Sequence, residues 1–415
     1  MSRFSRRKFI TGTTAAAASI LTPGFASHAK STHNFEASPE SKKIERIETF
    51  PVRYPSVMPF KFLDGPGGTG RPAVLVKITA DDGSVGWGES VPVPRWSYET
   101  LEASVIAIDK YLAPVLKGQN PFDLKGINGL MSQEIAPSFA TGMPITKSGI
   151  DMALHDLMGK ITGRNIAELW GRTTGDEIEL SWTISTTDLG EAEDLVQQGL
   201  EEGFRHFNVK VGPNLDYDLK LVDRVKGIVP ESFLWADANG GYDLSTALDA
   251  APKLADAGVP VLEQPIPISQ ITGYQRLVSQ GALPIIVDEG MVTPALVLEF
   301  IKLECMDGVA MKPARTGGLL SARQQIEMLE HAGLQFLGSG LTDPDVSLAA
   351  SLILYSAYDL NYPAALNGPQ FLAESIITEP FRPVNGKVRV PKGPGLGVQV
   401  DEDKLNDLVR RSKTS

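Results

Sequence analysis

A single cysteine, Cys305, stands in 415 residues. That excludes an internal disulfide, a zinc–thiolate centre and an iron–sulfur cluster, and Cys305 reads as a small buried apolar residue. No apolar run approaches the roughly 20 residues needed to cross a bilayer. Positive charge is also in short supply: 39 Lys and Arg against 50 Asp and Glu give a formal net charge of −11. With no basic stripe interleaved with aromatics, the chain is not read as a partner of nucleic acid or of an anionic membrane. The rest is ordinary. Hydrophobic residues at 42% and charged residues at 21% suit a globular protein of two domains, or of one barrel with additions.

The N-terminus reads as an address. Ser5-Arg6-Arg7-Lys8-Phe9-Ile10 sets a twin arginine before a mildly apolar, alanine-rich run from Phe9 to Leu21, and Ala26-Ser27-His28-Ala29 follows Pro23. This resembles a twin-arginine (Tat) export signal over residues 1–29, and implies a periplasmic or secreted protein with no membrane attachment once the signal is removed. Residues 1–29 hold four basic and no acidic residues, so a processed chain would carry −11 − 4 = −15. Residues 30–43 are polar and read as a flexible lead.

From Ile44 the pattern changes. Ile44 to Arg53 alternates, Ala73 to Ile78 is a strand, Asp81-Asp82-Gly83 is a turn, and Val85 to Glu89 returns as the second arm of a hairpin. The Gly/Pro-rich stretch 55–71 carries Met58, Phe60 and Phe62, and reads either as a mobile lid or as a loop packed on its own domain. Helical periodicity covers Leu101–Leu112, Ile127–Met131 and Ile145–Leu169, and His155 on the last reads as a packing residue. Residues 44–170 therefore form an α+β domain. After it, strands are expected at Glu179–Ser185, His206–Gly212, Phe233–Asn239, Pro260–Pro265, Ile285–Gly290, Gly308–Pro313 and Leu334–Ser339, with an eighth near Tyr358–Tyr362. Helices such as Glu191–Glu202, Tyr217–Val229, Leu244–Ala257 and Leu320–Ala332 separate them. This alternation predicts a parallel α/β barrel over 171–370. The Gly/Pro-rich segment 371–415 ends in a short helix expected to pack back on the first domain.

Five polar residues close successive strands: Lys210, Asp237, Glu263, Asp288 and Lys312. Their spacings are 27, 26, 25 and 24 residues, the length of one strand, one helix and two loops. Functional groups of such barrels sit where strands end. The second and sixth strands lie opposite one another, so the topology predicts two ammonium groups facing across three carboxylates. Oxygen ligands on rigid strand ends suit Mg²⁺, with Mn²⁺ possible. The proton α to a carboxylate is a very weak acid, and its removal needs the resulting enediolate charge to be neutralised as it forms. A neighbouring cation lowers a lysine's pKa toward the working range of a base. Two opposed lysines permit racemisation or epimerisation, elimination or ring chemistry with one base, or one base with the other as a stabilising charge.

Together with Trp87-Gly88-Glu89, the stretch Gly149 to Asp156, Leu169-Trp170-Gly171, Asp237-Ala238-Asn239, Glu263-Gln264-Pro265, Asp288-Glu289, and Lys312-Pro313 followed by Gly317-Gly318, these residues give the chain a resemblance. Over about residues 44–400 it is similar to the enolase superfamily, in the mandelate racemase/muconate lactonizing enzyme family and its muconate-lactonizing-like subgroup. The resemblance implies an α+β capping domain over a modified TIM barrel, (β/α)7β. It implies Mg²⁺ on Asp237, Glu263 and Asp288, acid/base lysines Lys210 and Lys312, and a small carboxylate substrate. Contacts to that substrate are expected from Asn208, Asn239, Met58, Phe60, Phe62, Trp96, Asp359 and Asn361. The family often forms dimers or octamers, which implies a homo-oligomer.

Two departures stand out. Asn208 replaces the first lysine of the subgroup's Lys-x-Lys, and Asp359-Leu360-Asn361 keeps half of the Asp-x-Asp that dipeptide epimerases carry on the eighth strand. Asp343 and Asp345, after the seventh strand, read as solvated loop acids, with partners of a cationic group as the alternative. The expected activity is racemisation or epimerisation of an amino-acid derivative or dipeptide. Cycloisomerisation or dehydration of a sugar acid or hydroxy acid is the alternative, and a non-catalytic carboxylate-binding scaffold is a third reading.

Overall fold

Residues 42–58, 60, 63–65 and 68–413 are described by the computed structural model. The expected export signal, nearly all of the lead and Phe62 lie outside the described residues. Alternation along the first hairpin yields an antiparallel sheet of β1 (Ile44–Tyr54), β2 (Arg71–Ala80) and β3 (Val85–Ser90), in that order. Val74, Val76, Ile78 and Ala80 of β2 face one way and pack on a helical layer. That layer comprises a helical stretch over 101–116, α1 (Leu124–Glu134) and α2 (Pro144–Thr162). The expected single helix to Leu169 breaks at Gly163, left-handed at φ 67°, and resumes as a short turn, Ile166–Leu169. Every residue of α2 from Pro144 to Gly159 is buried, because the hairpin covers one side and the barrel the other.

The Trp87-Gly88-Glu89 motif has a steric cause. A Cβ at Gly88 would collide with the Gly149 carbonyl oxygen and the Ala153 amide of α2, so only glycine lets β3 lie on that helix. The neighbouring carboxylates then reach into the barrel.

The barrel strands are β4 (Ser181–Ile184), β5 (His206–Lys210), β6 (Leu234–Asp237), β7 (Val261–Glu263), β8 (Ile285–Val287), β9 (Gly308–Met311) and β10 (Gln335–Gly338). All pair in parallel with their sequence neighbours. Helices α3 (Ala192–Glu201), α4 (Leu215–Ile228), α5 (Leu244–Asp256), α6 (Ile271–Gln280), α7 (Pro294–Lys302), α8 (Leu319–Ala332) and α9 (Asp345–Ala357) alternate with them. The eighth strand is not where the sequence suggested. Tyr358 caps α9, Asp359 turns at φ 50°, and Leu360 N donates to Tyr355 O at 3.0 Å, so the apolar cluster there ends a helix. Pairing falls instead on Ala364 and Ala365, parallel to Leu180 and Ser339. Ala364 N donates to Glu179 O, Ser181 N to Ala364 O and Ala365 N to Gly338 O, which links the first and seventh strands into a curled, TIM-barrel-like domain.

Side-chain period two then sets the site. Trp235, Val261, Ile286, Ala310, Leu337 and Ala365 form one apolar cluster. Each lies two residues before Asp237, Glu263, Asp288, Lys312, Ser339 or Asn367. A strand points residues i and i+2 to the same side, so an apolar plug fills the barrel beneath a polar ring.

Cap carboxylates complete two barrel helices. Asp151 Oδ2 on α2 accepts from Leu319 N at 2.6 Å and Leu320 N at 3.3 Å, at the start of α8. Glu89 Oε2 accepts from Val346 N at 3.0 Å and Ser347 N at 2.9 Å, at the start of α9. Helix N-termini leave such amides without intrahelical partners and favour negative charge. His155 is fully buried in this junction, its Nδ1 3.2 Å from Asp151 Oδ2. The last helix, α10 (Glu402–Ser412), returns to the cap sheet, where Arg53 N donates to Ser412 Oγ and Lys77 Nζ to Glu402 Oε1.

Candidate active site

Strand register assembles the five rungs. Lys210 is the Cα partner of Asp237, and Asp237 of Glu263. Lys210 Nζ is ion-paired with Asp237 Oδ2. Lys312, only 1% exposed, donates to Asp288 Oδ2 at 2.5 Å and lies 4.0 Å from Glu263 Oε1. Asp288 is positioned from the neighbouring strand end: Gln264 Oε1 accepts from Asp288 N at 2.8 Å and from Glu289 N at 3.1 Å. That accounts for the glutamine after Glu263. Asn239, at φ 45°, donates through its amide to Asp237 Oδ1 and through Nδ2 to Asp237 Oδ2 and Glu289 Oε1.

The ring is rich in negative charge. Glu263 is fully buried, and burial together with the adjacent Asp237 pushes its carboxyl up to about 8, against the pull of Lys312 and Lys210. Its Oε1 has no hydrogen-bond partner. Burial and Asp237 also raise Glu289. The donors are all carboxylate oxygens, the hard ligands that Mg²⁺ and Mn²⁺ take, and an orphaned oxygen among like charges is where a cation gives relief. Lys210, Lys312 and Arg315 neutralise Asp237 and Asp288 instead. Among the described residues no three His, Cys, Asp or Glu side chains stand as a preformed cage. The residues therefore fit a hard divalent ion in donor chemistry, provided these cationic side chains yield.

The other expected contacts divide. Asn208 lies on β5 two residues before Lys210, 2% exposed, with its Nδ2 unpartnered, at the level of the apolar plug. Trp96 reaches the centre from the cap: its Nε1 donates to Glu289 Oε1 at 2.7 Å, and its ring lies 4.6 Å from Lys312 Nζ. It lines a cavity of about 180 Å³ with Tyr98, Ile145, Asp288, Arg315 and Leu341. Met58 and Phe60 go elsewhere. They pack with Leu63 against Phe371, with the Phe60 and Phe371 rings stacked at 4.4 Å. Asp359 and Asn361 are exposed and precede the eighth strand, so they sit at the end of the barrel away from the ring. Asn367 takes the corresponding place, and its Nδ2 donates to Thr183 Oγ1 at 3.4 Å.

Three groups escaped the sequence reading. Arg315 is ion-paired with Asp288. Glu289 is buried beside the ring. Asp343 and Asp345 are not solvated: they are 1% and 7% exposed, and burial raises both carboxyls, Asp345 to about 6. Asp345 accepts from Ser375 Oγ and Ile376 N, because the C-terminal segment covers this loop. Two of these positions carry a sequence cue: Glu289 stands in the Asp288-Glu289 motif, and Arg315 is a basic residue three after Lys312.

Comparison with known proteins agrees with this geometry. Residues 47–171 match the profile of the mandelate racemase/muconate lactonizing enzyme N-terminal domain, and residues 191–404 that of the enolase C-terminal domain-like family. A chloromuconate cycloisomerase of Cupriavidus necator is 32% identical over 89% of this chain and 99% of its own. An N-succinyl-L-Arg/Lys racemase of Bacillus cereus is 27% identical over 88% and 98%. The solved muconate lactonizing enzyme of Pseudomonas putida superposes with a TM-score of 0.80 at 28% identity, over 88% of this chain and 99% of that one.

Proposed function

The chain belongs to the mandelate racemase/muconate lactonizing enzyme family, and from that premise we propose that it moves the proton α to a substrate carboxylate, as a racemase or epimerase of an N-acylated amino acid or dipeptide. It is an isomerase of the enolase superfamily, which displaces the binding-scaffold reading. The barrel is taken as (β/α)7β, closed by Ala364 and Ala365. The observation that carries the proposal is the pair Lys210 and Lys312, which end the second and sixth strands on either side of the buried carboxylates.

Enzymes of this family generally use Mg²⁺, which Asp237, Glu263 and Asp288 would hold and which, when bound, stabilises negative charge developing on a substrate carboxylate. The lysines do the rest. One, as a neutral amine, takes the α-proton, and the opposed ammonium returns a proton to the other face of the same carbon. Each ends in the other's starting state, so reverse turnover needs no further proton source. Trp96, Ile145 and Leu341 line the cavity with apolar surface, which limits water and strengthens charge interactions within.

A second reading is cycloisomerisation, in which a carboxylate oxygen adds to a carbon–carbon double bond and one lysine protonates the α-carbon. The similarity to cycloisomerases supports it. The test is incubation with Mg²⁺ in deuterated water against N-acyl amino acids, dipeptides and muconates, followed by NMR. Loss of the α-proton signal with inversion supports the first reading. A lactone carrying one deuterium supports the second. No exchange with any of them overturns both.

A further inference from the structure

Trp96 is a cap residue that meets the carboxylate ring, and its contacts run in two directions. Its Nε1 donates to Glu289 Oε1, an oxygen that also accepts from Asn239 Nδ2 at 3.3 Å. Asn239 in turn holds both oxygens of Asp237, at 2.8 Å and 3.1 Å. On the other side the indole face covers the Lys312 ammonium, which is bonded to Asp288. One side chain thus bears on the neighbours of two expected ligands, at the ends of the third and fifth barrel strands.

Its own loop is held from below. The buried Arg71 guanidinium donates to Val91 O at 2.6 Å and Pro92 O at 3.1 Å, and Trp96 N and Ser97 N both turn back onto Val93 O. The near end is thus fixed by Arg71, the far end by Glu99, which accepts from Ile145 N at 3.0 Å and Thr146 N at 2.7 Å, and between them Trp96 joins the loop to Glu289. Groups that orient metal ligands without touching the metal contribute to its affinity, and any coupling between two binding events is reciprocal.

We infer that Trp96 is a positioning residue through which seating of the cap loop 91–99 and cation binding at Asp237, Glu263 and Asp288 favour one another. This rests on the divalent-ion reading above. The probe is Mn²⁺ alone, titrated calorimetrically into the full chain. Trp96→Phe, which keeps an aromatic face but loses the donor, is expected to weaken Mn²⁺ binding about 10-fold. Reciprocally, Mn²⁺ is expected to slow amide hydrogen exchange at residues 91–99 of the unaltered protein, a measurement that does not depend on how the variant folds. If the unaltered protein binds Mn²⁺ while the variant binds equally well, or exchange over 91–99 stays unchanged, the coupling is wrong and the metal reading stands. If the unaltered protein binds no Mn²⁺, both fall.

Discussion

Lys210 and Lys312 differ in their surroundings more than in their chemistry. Lys210 keeps 13% of its side chain exposed, whereas Lys312 keeps 2% and lies under an indole. On the two-base reading proposed above, Lys210→Ala and Lys312→Ala should each lower turnover by about 10²–10⁴-fold. Each should abolish deuterium incorporation from one enantiomer while sparing the other, read by NMR on separate D and L substrates. Full activity in both variants sinks the two-base assignment. The residue that replaces the subgroup's first lysine, Asn208, adds no charge, and its Nδ2 is buried with no partner, so on the same reading the pull on a substrate carboxylate from this strand would fall to Lys210.

At the scale of elements, the crossing of β3 over α2 is the tightest joint. Gly88→Ala places a methyl group against helix backbone rather than against a yielding side chain. It should cost about 1–3 kcal/mol or more, read as a lower urea midpoint at unchanged slope. The barrel strands were legible because each apolar run ends in a polar residue at a fixed interval. The same rule would have corrected the eighth: Ser339 follows Lys312 by 27 residues and Asn367 follows Ser339 by 28, whereas Asp359 comes only 20 after Ser339. An apolar cluster at a helix end imitated a strand there. Burial of Asp343, Asp345 and Arg315 was not legible, because it depends on which distant segment covers a loop. The same holds for Phe60, whose partner Phe371 lies 311 residues away.

For the whole molecule, pH should act through the cap–barrel junction. Burial, reinforced by Asp345 and Asp343, holds Glu89 up at about 8, whereas a glutamate in the unfolded chain titrates near 4.3. Between those values the unfolded chain has released a proton that the folded chain keeps, so stability falls as pH rises through that window. Asp345 and Glu263 tilt the curve the same way. Glu89→Gln, which can still accept from the α9 amides, should therefore flatten the decline in melting temperature between pH 5 and 8 without abolishing it. An unchanged slope would place Glu89 outside that titration. We also propose that the N-terminal segment exports the chain. Arg6→Lys with Arg7→Lys should leave the protein unprocessed in the cytoplasm, as fractionation would show, and normal secretion of that variant would refute it.

Glu89 and Asp151 give those same two helices another property. Because α8 and α9 begin on side chains borrowed from the cap, the barrel depends on the cap to complete two of its helices. A chimera that exchanged caps between two family members would inherit new specificity only if its donor brought acidic groups to the same two places, and otherwise would arrive with frayed helices. Recombination in this family is thereby confined to parents that share those anchors.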